Sequence, residues 1–113
     1  MSGSLERNDE LLPGTLGMLI LKALSSGTMH GAAVATFIRL ASEGAFRVEE
    51  GALYPALHKL EQRGLVESEW GFSEHKRRAR FYRLTDAGVQ ELAEQNARWH
   101  RVTTAIAKIM KPV

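Results

Sequence analysis

The sequence predicts an α+β domain, mainly helical with one small β-hairpin, and three observations carry that prediction. Apolar residues recur with helical spacing in three segments before Gly64, the period then drops to two as far as Leu84, and a helical period returns from Thr85 to about Met110. At 113 residues and 44% apolar content, the chain can build one core and is too short for two ordinary ones. The expected organisation is a flexible N-terminal arm over 1–11, a folded domain over 12–84 and a C-terminal helical segment over 85–113.

Pro13-Gly14-Thr15 reads as a turn, with Thr15 placed to cap a first helix in which Leu16, Leu19, Ile20, Ala23 and Leu24 fall at i, i+3, i+4, i+7 and i+8. Ser25-Ser26-Gly27 stops that helix. Gly31–Ser42 resumes the helical period through Val34, Phe37, Ile38 and Ala41, and Glu43-Gly44 ends it. A third helix is expected from about Glu50 to Gln62, closed by Gly64 in the left-handed conformation that suits a residue just past a helix. Its Leu53, Leu57 and Leu60 form one row, opposite Tyr54, His58 and Lys59. One side can be held by a core while the other is presented. Pro55 lacks an N–H and presses on the carbonyl of Gly51, so the first turn is expected to be irregular or kinked. The acidic pair Glu49-Glu50 suits the positive end of the helix dipole.

After Gly64, Leu65, Glu67 and Glu69 alternate with Val66, Ser68 and Trp70, and later Arg80, Tyr82 and Leu84 alternate with Ala79, Phe81 and Arg83. These are expected to be two strands of an antiparallel hairpin whose joint, Gly71–Arg78, carries a basic tip. Thr85-Asp86 can then cap a helix running to about Met110, ~40 Å long at ~1.5 Å per residue and longer than such a domain is wide. Its seam of Val89, Leu92, Asn96, Trp99, Thr103, Ile106 and Met110 follows the 3-4 spacing of helices that pair along their length, with Asn96 as a register-fixing polar group. A homodimer is expected.

The net charge of +2 is too small to argue for nucleic acid on its own. Distribution says more: His75–Arg83 holds five Lys and Arg and no acid. No apolar run is long enough to span a bilayer and the first residues lack the apolar core of a signal peptide, so no membrane partner and a cytoplasmic location are expected. There is no cysteine, hence no disulfide and no Cys-based zinc site. His30, His58, His75 and His100 lie far apart with no metal-ligand spacing, and no glycine-rich phosphate loop is present. Neither an enzyme nor a cofactor is expected.

Three helices, a β-hairpin and a long pairing helix, in that order, give a winged helix-turn-helix with a C-terminal dimerisation helix. In such a domain the third helix enters the major groove and the wing lies on flanking phosphates. The candidate DNA contacts are Tyr54, Pro55, His58 and Lys59 on the third helix, with Lys76, Arg77, Arg78 and Arg80 on the wing. Guanidinium groups suit phosphate because their flat fork donates to two oxygens and stays charged. Tyr54 can alternatively be an aromatic packed beside Leu53 and Leu57. A winged helix can also serve as a protein-interaction adaptor without touching DNA; an acidic or apolar wing would mark that role, and this wing is basic.

The segments LLPGTLGMLILKAL, Met29-His30-Gly31, EEGALYPALHKLEQRGLVESEW and RRARFYRLTDAG closely resemble PadR-type transcriptional repressors, from about Leu11 to Gly88. The resemblance implies a dimeric winged-helix repressor of a double-stranded DNA operator whose first and last helices together build the dimer contact. That adds Leu16 and Leu19 to Leu92, Asn96, Trp99, Thr103, Ile106 and Met110 as dimerisation residues. Some members of the family release DNA on binding small aromatic compounds, which makes Trp99 a candidate ligand contact as well as a dimer-core residue. The chain has Ala32 where the family commonly has an aromatic, and Ala52 where it usually has Ser or Thr. The missing hydroxyl shifts anchoring toward Tyr54 and the wing.

Overall fold

Seven elements follow in the order α1 (Thr15–Leu24), β1 (Met29–His30), α2 (Gly31–Ala41), α3 (Glu50–Gln62), β2 (Val66–Phe72), β3 (Arg78–Leu84) and α4 (Asp86–Met110). The computed structural model describes residues 14–112, and the arm expected over 1–11 lies outside them. The fold is the expected α+β arrangement of a winged helix with a long last helix. One element goes beyond the sequence pattern: β1 turns the hairpin into a three-stranded antiparallel sheet ordered β1-β3-β2.

The core is built around α1, which touches α2, α3, α4 and β3. Its Ile20, Leu21, Ala23 and Leu24 are buried, and meet Val34 and Ile38 of α2 and Leu53, Leu57 and Leu60 of α3. Leu65 from the turn after α3, with Val66 and Tyr82 from the sheet, closes the core. Truncating a buried leucine here to Ala costs about 2–5 kcal/mol, a large share of what a domain this size can hold. The helix begins one residue earlier than expected. Gly14, at φ +84°, is the capping position and Thr15 is already helical, with no side-chain cap bond.

Helix α3 keeps its expected limits and runs without a break through Pro55. The irregularity expected of its first turn survives only as a shared acceptor. The Glu49 carbonyl accepts from both Ala52 N at 3.0 Å and Leu53 N at 2.9 Å, a mixed 3₁₀ and α turn. Pro55 leaves the Gly51 carbonyl without a helical donor, and Gly51 is exposed, so water can supply one. At the other end Gly64, φ +75°, closes a Schellman motif: Gly64 N donates to Glu61 O and Leu65 N to Leu60 O, both at 3.0 Å.

That motif also seats α4. Thr85 Oγ1 accepts from Gly88 N at 3.0 Å and donates to Gly64 O at 2.6 Å, while Thr85 N donates to Leu65 O at 3.1 Å. The long helix is thereby pinned to the α3–β2 turn. Its 25 residues make it roughly 37 Å long at ~1.5 Å per residue. The molecule measures 55 × 32 × 21 Å with a radius of gyration of 15.3 Å, against about 13 Å for a compact domain of a hundred residues. No helix of the described residues is long and apolar enough to cross a membrane.

Candidate nucleic-acid interface

Burial of Leu53, Leu57 and Leu60 turns the opposite side of α3 outward, so that Gly51, Tyr54, Pro55, His58, Lys59 and Gln62 are all exposed. They do not share one face. Tyr54 leans toward α2, its ring and hydroxyl so close to Gly31 that an added Cβ there would lie 2.7 Å from them. This sets a phenol hydroxyl beside the first residue of α2, whose N-cap His30 offers no side-chain bond to the helix amides. His58 points to solvent. Pro55 and Lys59 turn the other way and line a cleft between α1, α3 and α4.

The hairpin projects beside α3. Its register pairs Val66 with Leu84, Ser68 with Tyr82, Trp70 with Arg80 and Phe72 with Arg78, so these side chains share one face. At the base that face is buried through Val66 and Tyr82; farther out Trp70 and Phe72 are 54% and 73% exposed. Burial pushes the Tyr82 hydroxyl above its ordinary pKa, so it stays protonated and neutral. The Arg78 and Arg80 guanidiniums lie 4.3 and 5.3 Å from the Trp70 ring centre. The other face carries Glu67 and Glu69, which both pair with Arg83, at 2.6 and 3.5 Å.

The hairpin turns through a type I turn closed by Lys76 N to Ser73 O at 2.8 Å, followed by Lys76 itself at φ +60° and by Ser73 N to Arg77 O at 2.9 Å. This places Lys76, Arg77 and Arg78 at the exposed tip. Among the described residues no carboxylate stands within ion-pair distance of these three, whereas Arg63, Arg80 and Arg83 all face a glutamate. The positive charge of the tip is thus unpaired among the described residues, as is that of Lys59 on α3. Trp70 and Phe72 are not among the contacts expected from the sequence, although their alternation with Glu67, Glu69 and Gly71 marks them as one side of a strand.

Along α4 the expected seam divides. Leu92 packs against the core together with Leu16 and Leu19 of α1. Asn96 is exposed, and Thr103 donates its hydroxyl to the Trp99 carbonyl at 2.9 Å within the same helix. The exposed apolar stripe is instead Trp99, Val102, Ile106, Ile109 and Met110. Val102 and Ile109 follow Trp99 and Ile106 at three residues, a signal present in the sequence but masked by the 3-4 seam beside it. Trp99 and Val102 also border the cleft, about 830 Å³ in volume, into which Met18 and Lys59 face from α1 and α3. At its edge Gln95 donates to Glu91 at 2.6 Å and Arg63 stands 3.6 Å away, holding the Glu91 carboxyl below the usual range.

Residues 20–94, two-thirds of the chain, match the sequence profile of the transcriptional regulator PadR-like family. The chain belongs to that family. Among PadR-like and related regulators, its fold superposes on a transcriptional regulator from Clostridium thermocellum with a TM-score of 0.78 at 28% identity, covering 87% of this chain and 95% of that one. A PadR family regulator from Eggerthella lenta gives 0.73 at 35% identity over 88% and 85% of the two chains. A transcriptional regulator of Mycobacterium tuberculosis is 39% identical over 75 residues, 66% of each chain. Bacillus subtilis PadR, solved in complex with operator DNA, gives 0.64 at 26% identity and covers 72% of this chain and 46% of its own.

Proposed function

We propose that this PadR-like regulator is a homodimeric repressor that occupies a double-stranded operator and thereby blocks a promoter. The observation that carries the reading is the uncompensated tip Lys76–Arg78, held on a hairpin beside an α3 whose far side is open. The relative bound to operator DNA supports it. In this reading α3 presents His58 and its neighbours to the major groove, and Tyr54 with the start of α2 meets one phosphate. The wing tip meets phosphates farther along, and Arg78 is aimed by its stack on Trp70. The charged residues position the protein; two copies of α3, spaced about one helical turn, ~34 Å, or a multiple of it, supply the sequence reading.

The test is a salt titration of operator binding. Arg77→Ala/Arg78→Ala should weaken binding to all sequences alike and flatten the plot of log affinity against log salt by ~0.9 for each phosphate no longer neutralised. An unchanged slope would remove the wing from the interface. An adaptor role without DNA would leave no slope to measure.

Release by a small aromatic compound is supported by the cleft, where Trp99 offers a flat apolar face with Lys59 and Arg98 near it. In a Trp70→Phe variant, Trp99 fluorescence should be quenched on titration with phenolic acids or planar cations. Failure of both classes to quench it would leave Trp99 to the dimer contact.

A further inference from the structure

Arg80 differs from the tip cations. Its Nε donates to Ser68 Oγ at 2.8 Å, that hydroxyl donates to Glu61 Oε2 at 2.8 Å, and the Arg80 guanidinium stands 3.8 Å from the same carboxylate oxygen. Glu61 belongs to α3, Ser68 to β2 and Arg80 to β3. One run of contacts therefore ties the groove-facing helix to both strands of the hairpin. The pairs made by Arg83 stay within the hairpin, and the pair of Arg63 with Glu91 joins the end of α3 to α4.

The placement of this network matters as much as its composition. The hairpin is anchored in the core only near its base, through Val66, Tyr82 and Leu84, while Trp70, Phe72 and the tip stand beyond it. Ser68 stands opposite Tyr82 at the outer edge of that base, Arg80 lies one step farther toward the tip opposite Trp70, and Arg80 also covers the Trp70 ring on which Arg78 rests. A small change of angle there is magnified at Arg77 and Arg78. The carboxylate beside Arg80 also offsets the charge it could offer a phosphate, in contrast to Lys76, Arg77 and Arg78.

We propose that Glu61, Ser68 and Arg80 form a brace that fixes the angle between α3 and the wing, and that Arg80 is a positioning residue which does not contact DNA. The inference rests on the DNA-binding reading above. The two roles open to Arg80 predict opposite signs for one substitution. Glu61→Ala removes a negative charge near the phosphates and frees Arg80, so a phosphate-binding Arg80 gives tighter binding. A brace gives weaker binding in spite of the gained positive charge.

The probe is a duplex enriched by in vitro selection with the wild-type full chain. Glu61→Ala and the charge-neutral Ser68→Ala should both lose roughly threefold to tenfold in affinity, the size of coupling within one hydrogen-bonded network. Ser68→Ala should keep the wild-type salt slope and stay folded, because one part-buried hydroxyl bond contributes only a small part of a domain's stability. Ser68→Thr, which keeps the hydroxyl, should bind as wild type does. Tighter binding by Glu61→Ala overturns the brace while leaving the DNA reading intact, as does wild-type affinity in Ser68→Ala. So does a slope lowered by ~0.9 in the charge-conserving pair Glu61→Ala/Arg80→Gln, since that would count Arg80 among the groups that neutralise phosphate. If the wild-type chain enriches no duplex, the DNA reading falls and takes the brace with it.

Discussion

Gly88 sits where the start of α4 crosses the turn between α3 and β2, and its lack of a side chain is what lets the two meet. A Cβ there would overlap the Leu65 carbonyl oxygen, which already accepts from Thr85 N, and would lie 3.3 Å from Leu84 Cδ2. Intrinsic propensity argues the other way, since Ala is favoured over Gly inside a helix by ~1 kcal/mol. The overlap wins because its partner is backbone, fixed by the Schellman turn at Gly64, and cannot swing aside. Making room means lifting α4 off Thr85, whose hydroxyl bridges Gly64 O and Gly88 N. Gly88→Ala is expected to destabilise the fold by about 2–4 kcal/mol in urea unfolding. A variant as stable as wild type would mean that α4 is not seated this closely.

Between elements the informative contact is the one from α3 to α2. Gly31 also has no room for a Cβ, but what fills the space is the Tyr54 ring, a side chain 41% exposed and free to rotate outward. Gly31→Ala should therefore cost less than about 1 kcal/mol in stability, since the ring can move away, while displacing the hydroxyl from the start of α2. Operator affinity should fall by about tenfold or more, the value of one charge-assisted bond to phosphate. Equal affinities would reduce Tyr54 to a packing residue. At this scale the sequence is readable where a period or a turn residue acts locally. Leu53, Leu57 and Leu60 with Gly64 define α3, and Thr85 defines the start of α4. It is silent where the determinant is a partner distant along the chain. Two residues, Met29 and His30, are too few to show an alternation, and they become a strand only because Tyr82 and Phe81 are there to pair with them. In the sequence Arg80 looks like Arg77 and Arg78, because its neighbour Ser68 lies 12 residues away and enters only once the register is known.

At the scale of the whole molecule, the long last helix poses an energetic question that one copy of the chain does not answer. Its first half is held by Thr85, Gly88 and Leu92, but the second half carries Val102, Ile106, Ile109 and Met110 at 43%, 49%, 80% and 72% exposure. Burying side chains of this kind is worth about 1.5–3 kcal/mol each, enough in a symmetric pair of stripes to offset the loss of free tumbling on association. The stripe continues the core-facing side of α4 and leads into the cleft at Trp99, so a second α4 lying along it would also face Leu16 and Met18 of α1. The 3-4 seam read from the sequence overlaps this stripe at Trp99, Ile106 and Met110 but is rotated from it, since Val102 and Ile109 lie to one side and Thr103 spends its hydroxyl on its own helix. The two registers therefore make different predictions. Ile106→Glu/Ile109→Glu should give a monomer by sedimentation, abolish the rise of melting temperature with protein concentration that a dimer shows, and lose operator binding while each copy stays folded. Asn96→Ala with Thr103→Ala should leave association nearly unchanged if the stripe is the contact, and disrupt it if the sequence seam is. A dimer that survives the double glutamate variant would place the contact away from the second half of α4.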